Sequence, residues 1–401
     1  MFELHEVREF DPGRDEEFFS ALPAQPAVFL LELRAGESGA RPYLARTADL
    51  QRRLGVLLGP AREPSRRLNL RELATRVRYR IVGSRFEQAL VLYHHAAQIH
   101  RGRYRSWMRL RPPVLVKLKL RSAYPRAYVT RRILEDGALY LGPFASRRSA
   151  DAFLSQALNF FKIRRCQIRI QRDPKFPGCL YSEMKMCLAP CFAGCSDEEY
   201  SAEVVRVDSF LRSRGASLAT ELESGRDAAS AALDFERSAV VHKKMEKVSA
   251  ALRLLPELAR NLEELNAVVL ERAPTEQSIS VFPVRQGFIE PPLMLEFGSL
   301  AAEPRSVEAI LRERLEAGAA QELPGGSPSL DRRADHLSFL ARWYYSKPRH
   351  GEILYAEPAR GGLPAPAGAP SAAGTPAAAA WPYRRMVRAC SRLLAAGAAG
   401  P

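Results

Sequence analysis

The sequence predicts an α+β multidomain protein, and three observations carry that reading. A length of 401 residues suits two to four compact units at roughly 100–200 residues each. Short strand-like runs alternate with amphipathic helical stretches. The composition also shifts along the chain: four of the six cysteines fall between residues 179 and 195, and a Pro/Ala-rich run follows residue 357. The expected order is a small α/β unit over 15–105, a Cys-rich middle unit over 106–200, a helical hairpin over 201–260 and a small α/β unit over 261–357. Residues 358–401 form a linker and a terminal amphipathic helix.

Each element has a local reason. PAVFLLEL (26–33) is dense in β-branched and aromatic residues and reads as a strand, RPYLART (41–47) as a second, with AGESG as turn material between them. Leu50, Leu54 and Leu57 then recur at helical spacing. RYRIVGS (78–84) is a third strand and FEQALVLYHHAAQIH (86–100) a helix. VLVKLKL (114–120) and RAYVTRRI (126–133) are strands, followed by an LGPF turn. A helix places Leu154, Leu158 and Phe161 on one stripe. Ser196 with Glu199 three residues on is a capping box and opens a helix over 196–213. Residues 217–256 hold two helical stretches, the second with Val241, Met245, Val248 and Leu252 on one face. Residues 264–300 turn strand-rich. PARGGLPAPAGAPSAAGTPAAAA reads as an unstructured linker, and Met386, Cys390 and Leu393 at helical spacing beside three arginines read equally as a docking helix or a frayed helical tail.

Sixty Lys+Arg against forty-five Asp+Glu give a net charge of +15. An excess of that size points to a polyanion, of which nucleic acid is the common one. The charged N-terminus shows no signal-peptide pattern, and no run approaches the roughly 18 apolar residues of a membrane span. The expectation is a cytoplasmic protein with no membrane partner. Disulfides do not persist in that reducing compartment, so the clustered thiols read as ligands.

Cys166, Cys179, Cys187 and Cys191 have the spacing C-x12-C-x7-C-x3-C, with Cys195 three residues further on. Grouped thiolates repel unless a cation neutralises them. All-sulfur ligation suits zinc or an iron–sulfur cluster. Buried free thiols, packed as small hydrophobes, are the alternative.

FKIRRC (161–166) followed by CLYSEMKMCLAPC (179–191) resembles the cysteine region of the UvrC family, the nuclease subunit of bacterial nucleotide excision repair. YPRAYVTRR and ALYLGPF resemble further segments of that family. LDFERSAVVHKKMEKV (233–248) resembles its UVR motif, and LARWYYSKPRHGEIL (340–354) weakly resembles the stretch leading into its second nuclease domain. The resemblance implies that Cys166, Cys179, Cys187 and Cys191 hold a [4Fe–4S] cluster, zinc being the alternative. It implies DNA as a partner and a UvrB-type protein bound through the UVR hairpin, with Phe235, Val241, Met245 and Val248 as contact residues. It also implies a GIY-YIG-like nuclease unit at the N-terminus.

In that unit Tyr43 matches a family tyrosine and Arg53 the family arginine, as catalytic candidates, while Phe29 replaces the first tyrosine. Arg46, Arg52 and Arg53 would bind phosphate. The metal-binding glutamate is replaced by Tyr93, and Glu87, six residues earlier, lies about 9 Å along a helix and on another face. A Mg2+ or Mn2+ ion therefore enters only with an active nuclease, and the unit is expected to be degenerate. Adjacent His94 and His95 offer a different ligand pair, although such histidines are more often polar-face residues. The family's second nuclease domain and its helix-hairpin-helix pair would follow residue 350, but a Pro/Ala-rich run from 358 stands there instead, so a shortened relative is expected. Two other readings compete with an impaired repair subunit: a non-enzymatic adaptor or regulator, and an active single-site nuclease with a rearranged metal site.

Overall fold

Three antiparallel sheets organise the computed structural model, which describes residues 2–34, 41–60, 68–300, 303–319, 329–357 and 380–398. The N-terminal unit contains β1 (Glu6–Glu9), α1 (Asp15–Ser20), β2 (Ala27–Leu33), β3 (Tyr43–Thr47), α2 (Leu50–Leu58), β4 (Ala74–Ile81), α3 (Arg85–Ile99) and α4 (Tyr104–Trp107). Its sheet runs β1-β4-β2-β3, so β3 is an edge strand. β1 is exposed at all four positions and had no alternation to read. β4 starts four residues ahead of the 78–84 expectation. The expected AGESG turn lies outside the described residues. Asp49 caps α2 by accepting from Arg52 N (2.9 Å), and Leu50, Leu54 and Leu57 are buried as their spacing requires. α3 is apolar on two faces because it has two neighbours. Val91, Leu92 and Ala96 pack on its own sheet, while Phe86 and Leu90 join a core shared with the C-terminal unit.

The middle unit holds β5 (Val114–Leu118), β6 (Ala127–Thr130), β7 (Leu139–Phe144), α5 (Arg147–Leu158), α6 (Leu180–Glu183) and α7 (Asp197–Arg212). LGPF, read as a turn, is instead the end of β7, whose six residues are all buried. The Ser196 capping box forms as expected: Ser196 Oγ accepts from Glu199 N at 3.1 Å, and Glu199 Oε2 accepts from Ser196 N at 2.8 Å. α8 (Ala216–Ala231) and α9 (Phe235–Leu252) follow as a helical hairpin with a short connection. After it, β8 (Arg260–Asn261) returns to pair with β7, completing the sheet β6-β5-β7-β8. The chain thus crosses the expected boundary at 260/261 while inside the middle sheet.

The C-terminal unit comprises β9 (Ala267–Arg272), β10 (Ser278–Arg285), β11 (Phe288–Ile289), β12 (Leu293–Glu296), α10 (Phe297–Leu300), α11 (Val307–Ala319), α12 (Leu330–Tyr344), β13 (Glu352–Tyr355) and α13 (Tyr383–Ala398). Its sheet runs β11-β10-β9-β13, with β12 also on β10. The terminal docking helix exists as α13 and docks on this chain's own sheet: Met386, Ala389 and Cys390 are buried there. Arg272 donates to the carbonyls of Leu393 and Leu394. The expected linker over 358–379 lies outside the described residues. Among the described residues no helix is long and apolar enough to cross a membrane.

Candidate functional site

Tyr43 and Arg53 meet. The edge strand carries Tyr43, the Asp49-capped helix α2 presents Arg53, and Arg53 Nη2 donates to the Tyr43 hydroxyl at 3.1 Å. Phe29, in the place of the family's first tyrosine, is buried with its ring 6.2 Å from that of Tyr43. The three arginines expected to hold phosphate do not form one patch. Successive strand side chains alternate faces, so Arg46 leaves β3 on the side of Leu44, which packs toward α3. Arg53 sits on the α2 side with Tyr43, and Arg52 is exposed on α2.

Tyr93 faces away from this pair, toward α12. Its hydroxyl donates to Asp335 Oδ2 at 3.2 Å, and Tyr104 donates to the same oxygen at 2.6 Å. Arg105 closes the set, with Nε on Asp335 Oδ1 at 2.7 Å and Nη2 on Oδ2 at 3.1 Å. Asp335 is only 3% exposed. Burial, and then the Asp335 charge, push the Tyr93 hydroxyl well above the ordinary phenol range, so it stays protonated and donates. The ring lies edge-on to Tyr104, His336 and Phe339. His336 is neutral at ordinary pH, its pKa lowered by burial to about 3, and its Nδ1 accepts from Ile289 N.

The other candidates near Tyr93 are committed elsewhere. Glu87 is buried and accepts from Arg80 Nη2 (2.9 Å) and Gly83 N (3.1 Å). His94 lies 3.3 Å from Glu3, and His95 bonds the Phe2 carbonyl oxygen at 3.1 Å.

The four thiols share one loop region. Lys185, Ala189 and Ala193 adopt left-handed backbone conformations there, which folds 179–195 back on itself. Cys187 Sγ accepts from Ala189 N at 3.3 Å. Burial pushes its thiol up to about 11, and the neighbouring thiols of Cys166, Cys191 and Cys179 push the same way. Cys191 is raised by burial first, and also by Cys179 and Cys166. All four are free and lie within electrostatic reach of one another. Among the described residues, however, no group of three or more His, Cys, Asp or Glu side chains is placed to hold a metal ion. Cys195 packs in the middle-unit core beside Tyr200.

On the hairpin, Val248 is buried at 2% exposure, while Val241 and Met245 are half-buried against the middle-unit core. Of the four expected contact residues only Phe235 is free, at 70% exposure, and Leu233 and Val240 are exposed near it.

Sequence reasoning missed two adjoining clefts. The first, ≈ 610 Å3, runs along the free edge of β3 and is walled by Tyr43, Arg46, His100, Trp107, Arg109 and Arg342. The second, ≈ 520 Å3, shares Arg109 and Arg342 and adds Arg111, Arg131 and Arg147. No carboxylate is among the described residues lining either cleft.

An edge-stranded α/β unit, a thiol loop beside a second sheet and a helical hairpin with an exposed aromatic thus follow one another along a multidomain chain. Sequence comparison is specific: the description "UvrC/Cho excinuclease, middle domain" matches residues 114–210, from the first residue of β5 to near the end of α7. Over most of its length the chain is similar to proteins of the UvrC family. It is 27% identical over 305 residues to the UvrABC system protein C of Desulfatibacillum aliphaticivorans, covering 74% of this chain and 49% of that one. With the same-named protein of Oleidesulfovibrio alaskensis it shares 28% over 278 residues, 69% and 39% of the two chains. With that of Acetivibrio thermocellus it shares 23% over 352 residues, 84% and 55%. The matched part therefore spans about half the length of these curated relatives. No solved structure matches the chain.

Proposed function

We propose that this chain is a UvrC-type component of bacterial nucleotide excision repair, binding DNA and a UvrB-type partner, with an impaired GIY-YIG-like endonuclease site. The carrying observation is that the family match over 114–210 encloses the whole thiol loop. The +15 charge and the carboxylate-free arginine clefts support a polyanionic partner. The exposed Phe235 near the hairpin tip supports a partner there. Impairment is supported by Tyr93: where the family resemblance calls for a cation-binding glutamate, a protonated phenol donates to Asp335. The same contact favours the adaptor reading, in which the unit binds without cutting.

Cys166, Cys179, Cys187 and Cys191 would hold the cofactor. Four mutually interacting free thiols are the donor set of an all-sulfur centre. Zinc would draw on the same four sulfurs and is the alternative. When bound, the cluster supplies a redox-capable cross-link of the loop. The chain's own part is to gather the thiols, with the Ala189 amide donating to Cys187.

The test is incision of a damaged duplex with Mg2+ or Mn2+, with the UvrA and UvrB proteins added. The expected result is no incision attributable to Tyr43. Incision that Tyr43→Phe abolishes would overturn the impaired-site reading, and failure to enter a complex with UvrB on damaged DNA would overturn the repair assignment.

A further inference from the structure

The first cleft has features that a phosphate-binding surface alone does not require. Trp107 lines it and is 44% exposed, with the His100 ring tilted against it at 4.8 Å and 36° between planes. The chain has three tryptophans, and the other two, Trp343 and Trp381, are buried. Arg46, Arg109 and Arg342 line the same cleft. Arg342 Nη2 donates to the Arg109 carbonyl oxygen at 3.2 Å, a neutral acceptor. The Arg342 guanidinium is held below its usual range by burial, and by Arg46 and Arg111 nearby. Three arginines lining one cleft with no carboxylate among its described lining residues make a site for an anion. Arg109 itself sits at φ 52, in the left-handed region, which a non-glycine residue adopts at a cost and which clusters at functional sites.

We propose that the cleft between β3, Trp107 and Arg342 binds single-stranded nucleic acid, an unpaired base stacking on Trp107 while the flanking phosphates lie on Arg46, Arg109 and Arg342 and continue along Arg111. The inference rests on the nucleic-acid-binding part of the reading above. Aromatic platforms within basic grooves hold single strands regardless of sequence. A volume of ≈ 610 Å3 falls in the range of pockets that enclose a small ligand. That suits one or two extruded nucleotides. The bases of an intact duplex are stacked inside the helix, where Trp107 has no access to a base face.

The test uses the full chain and fluorescence anisotropy with a labelled oligo-dT strand and a blunt duplex of equal length. Trp107→Ala should weaken oligo-dT binding about 5- to 150-fold, the range for removing one base stack, and Trp107→Phe should restore it. Binding should quench tryptophan emission in the unsubstituted chain and not in Trp107→Phe. Arg342→Gln should lower both the affinity and the salt slope, by about 0.7 for each phosphate that is no longer neutralised. Arg226→Gln, on the distant helix α8, should do neither. Equal losses at Arg226, unchanged binding in Trp107→Ala, or a preference for the duplex would overturn the proposal alone. Absence of binding to either form of DNA would overturn the preceding reading with it.

Discussion

Replacing Asp335 with alanine should open the contact between the N-terminal unit and α12. The carboxylate accepts four hydrogen bonds: from Tyr93 at 3.2 Å, Tyr104 at 2.6 Å and Arg105 at 2.7 and 3.1 Å. Bonds to a charged acceptor are each worth about 1.5–3 kcal/mol. The long Tyr93 bond belongs at the low end and the short Tyr104 bond near the top. The Arg105 side chain is 39% exposed, so water recovers most of its share and about 1 kcal/mol remains. The sum, about 5 kcal/mol, is an upper figure because the bonds share one acceptor and are not additive. A loss of about 3–5 kcal/mol is expected, whereas Asp335→Asn, which keeps one acceptor oxygen, should lose about half. Native-state hydrogen exchange over 85–107 and 330–344 reads the opening free energy directly. Tyr93→Phe alone should cost about 1.5 kcal/mol, and in the Asp335→Ala background much less. A loss under 1 kcal/mol in Asp335→Ala, or additive Tyr93 and Asp335 effects, would refute the reasoning.

Further outcomes are expected at Glu271, at the thiols and on the hairpin. Glu271 is 4% exposed and accepts from Trp343 Nε1. Burial, with the Glu87 charge adding to it, raises its carboxyl from 4.5 to about 7. The folded state therefore keeps a proton that the unfolded state gives up, and stability falls as pH rises from about 4.5 to 7, by up to about 3 kcal/mol. Glu271→Gln should flatten that slope in urea titrations at pH 5 and 8, and an unchanged slope would exclude Glu271 as its source. Anaerobically purified protein should contain iron and sulfide, which Cys187→Ser should remove and Cys195→Ser should leave. One colourless zinc per chain would favour the structural-metal alternative. Phe235→Asp should weaken UvrB binding about tenfold or more, as loss of an exposed aromatic anchor does, with an unchanged melting midpoint. Val248→Asp, which buries a charge, should cost about 3 kcal/mol or more in stability.

What the sequence could show depended on how locally each feature is determined. α2 was legible from its leucine spacing and α7 from its capping box, each a signal within one or two turns. β7 was not, because a strand buried on both faces shows no alternation and Gly-Pro inside it imitates a turn. The stripe of Val241, Met245 and Val248 is real, but a stripe does not say whose surface it meets, and here it meets this chain's own core. Tyr93 could be seen to depart from the family glutamate. Its new partner, Asp335, lies 242 residues away and gave no signal at all. The cleft arginines, spread from Arg46 to Arg342, lie close together only once three units have packed.

Asp335 and Arg342 lie seven residues apart on α12, about 10.5 Å along the axis and nearly in register around it. The contact that ties α12 to α3 and α4 therefore also fixes where Arg342 stands opposite Arg46. This arrangement decides what happens when the family's residue is put back. Tyr93→Glu exchanges a donor for a second carboxylate at a site where Asp335 already holds a buried negative charge. The cations within reach are Arg105, already paired with Asp335 and Asp331, and Arg332, whose field reaches Tyr93. Like charges at that distance in a half-buried site raise one carboxyl's pKa or force the two elements apart. Tyr93→Glu alone should loosen the α3–α12 contact by about 2–4 kcal/mol, seen in hydrogen exchange over the same segments, and should restore no incision. Adding Asp335→Asn removes the repulsion and should recover most of that loss. Recovery of Mg2+-dependent cutting in the single variant would show that α12 does not block the site, and that the phenol at 93 was the whole defect.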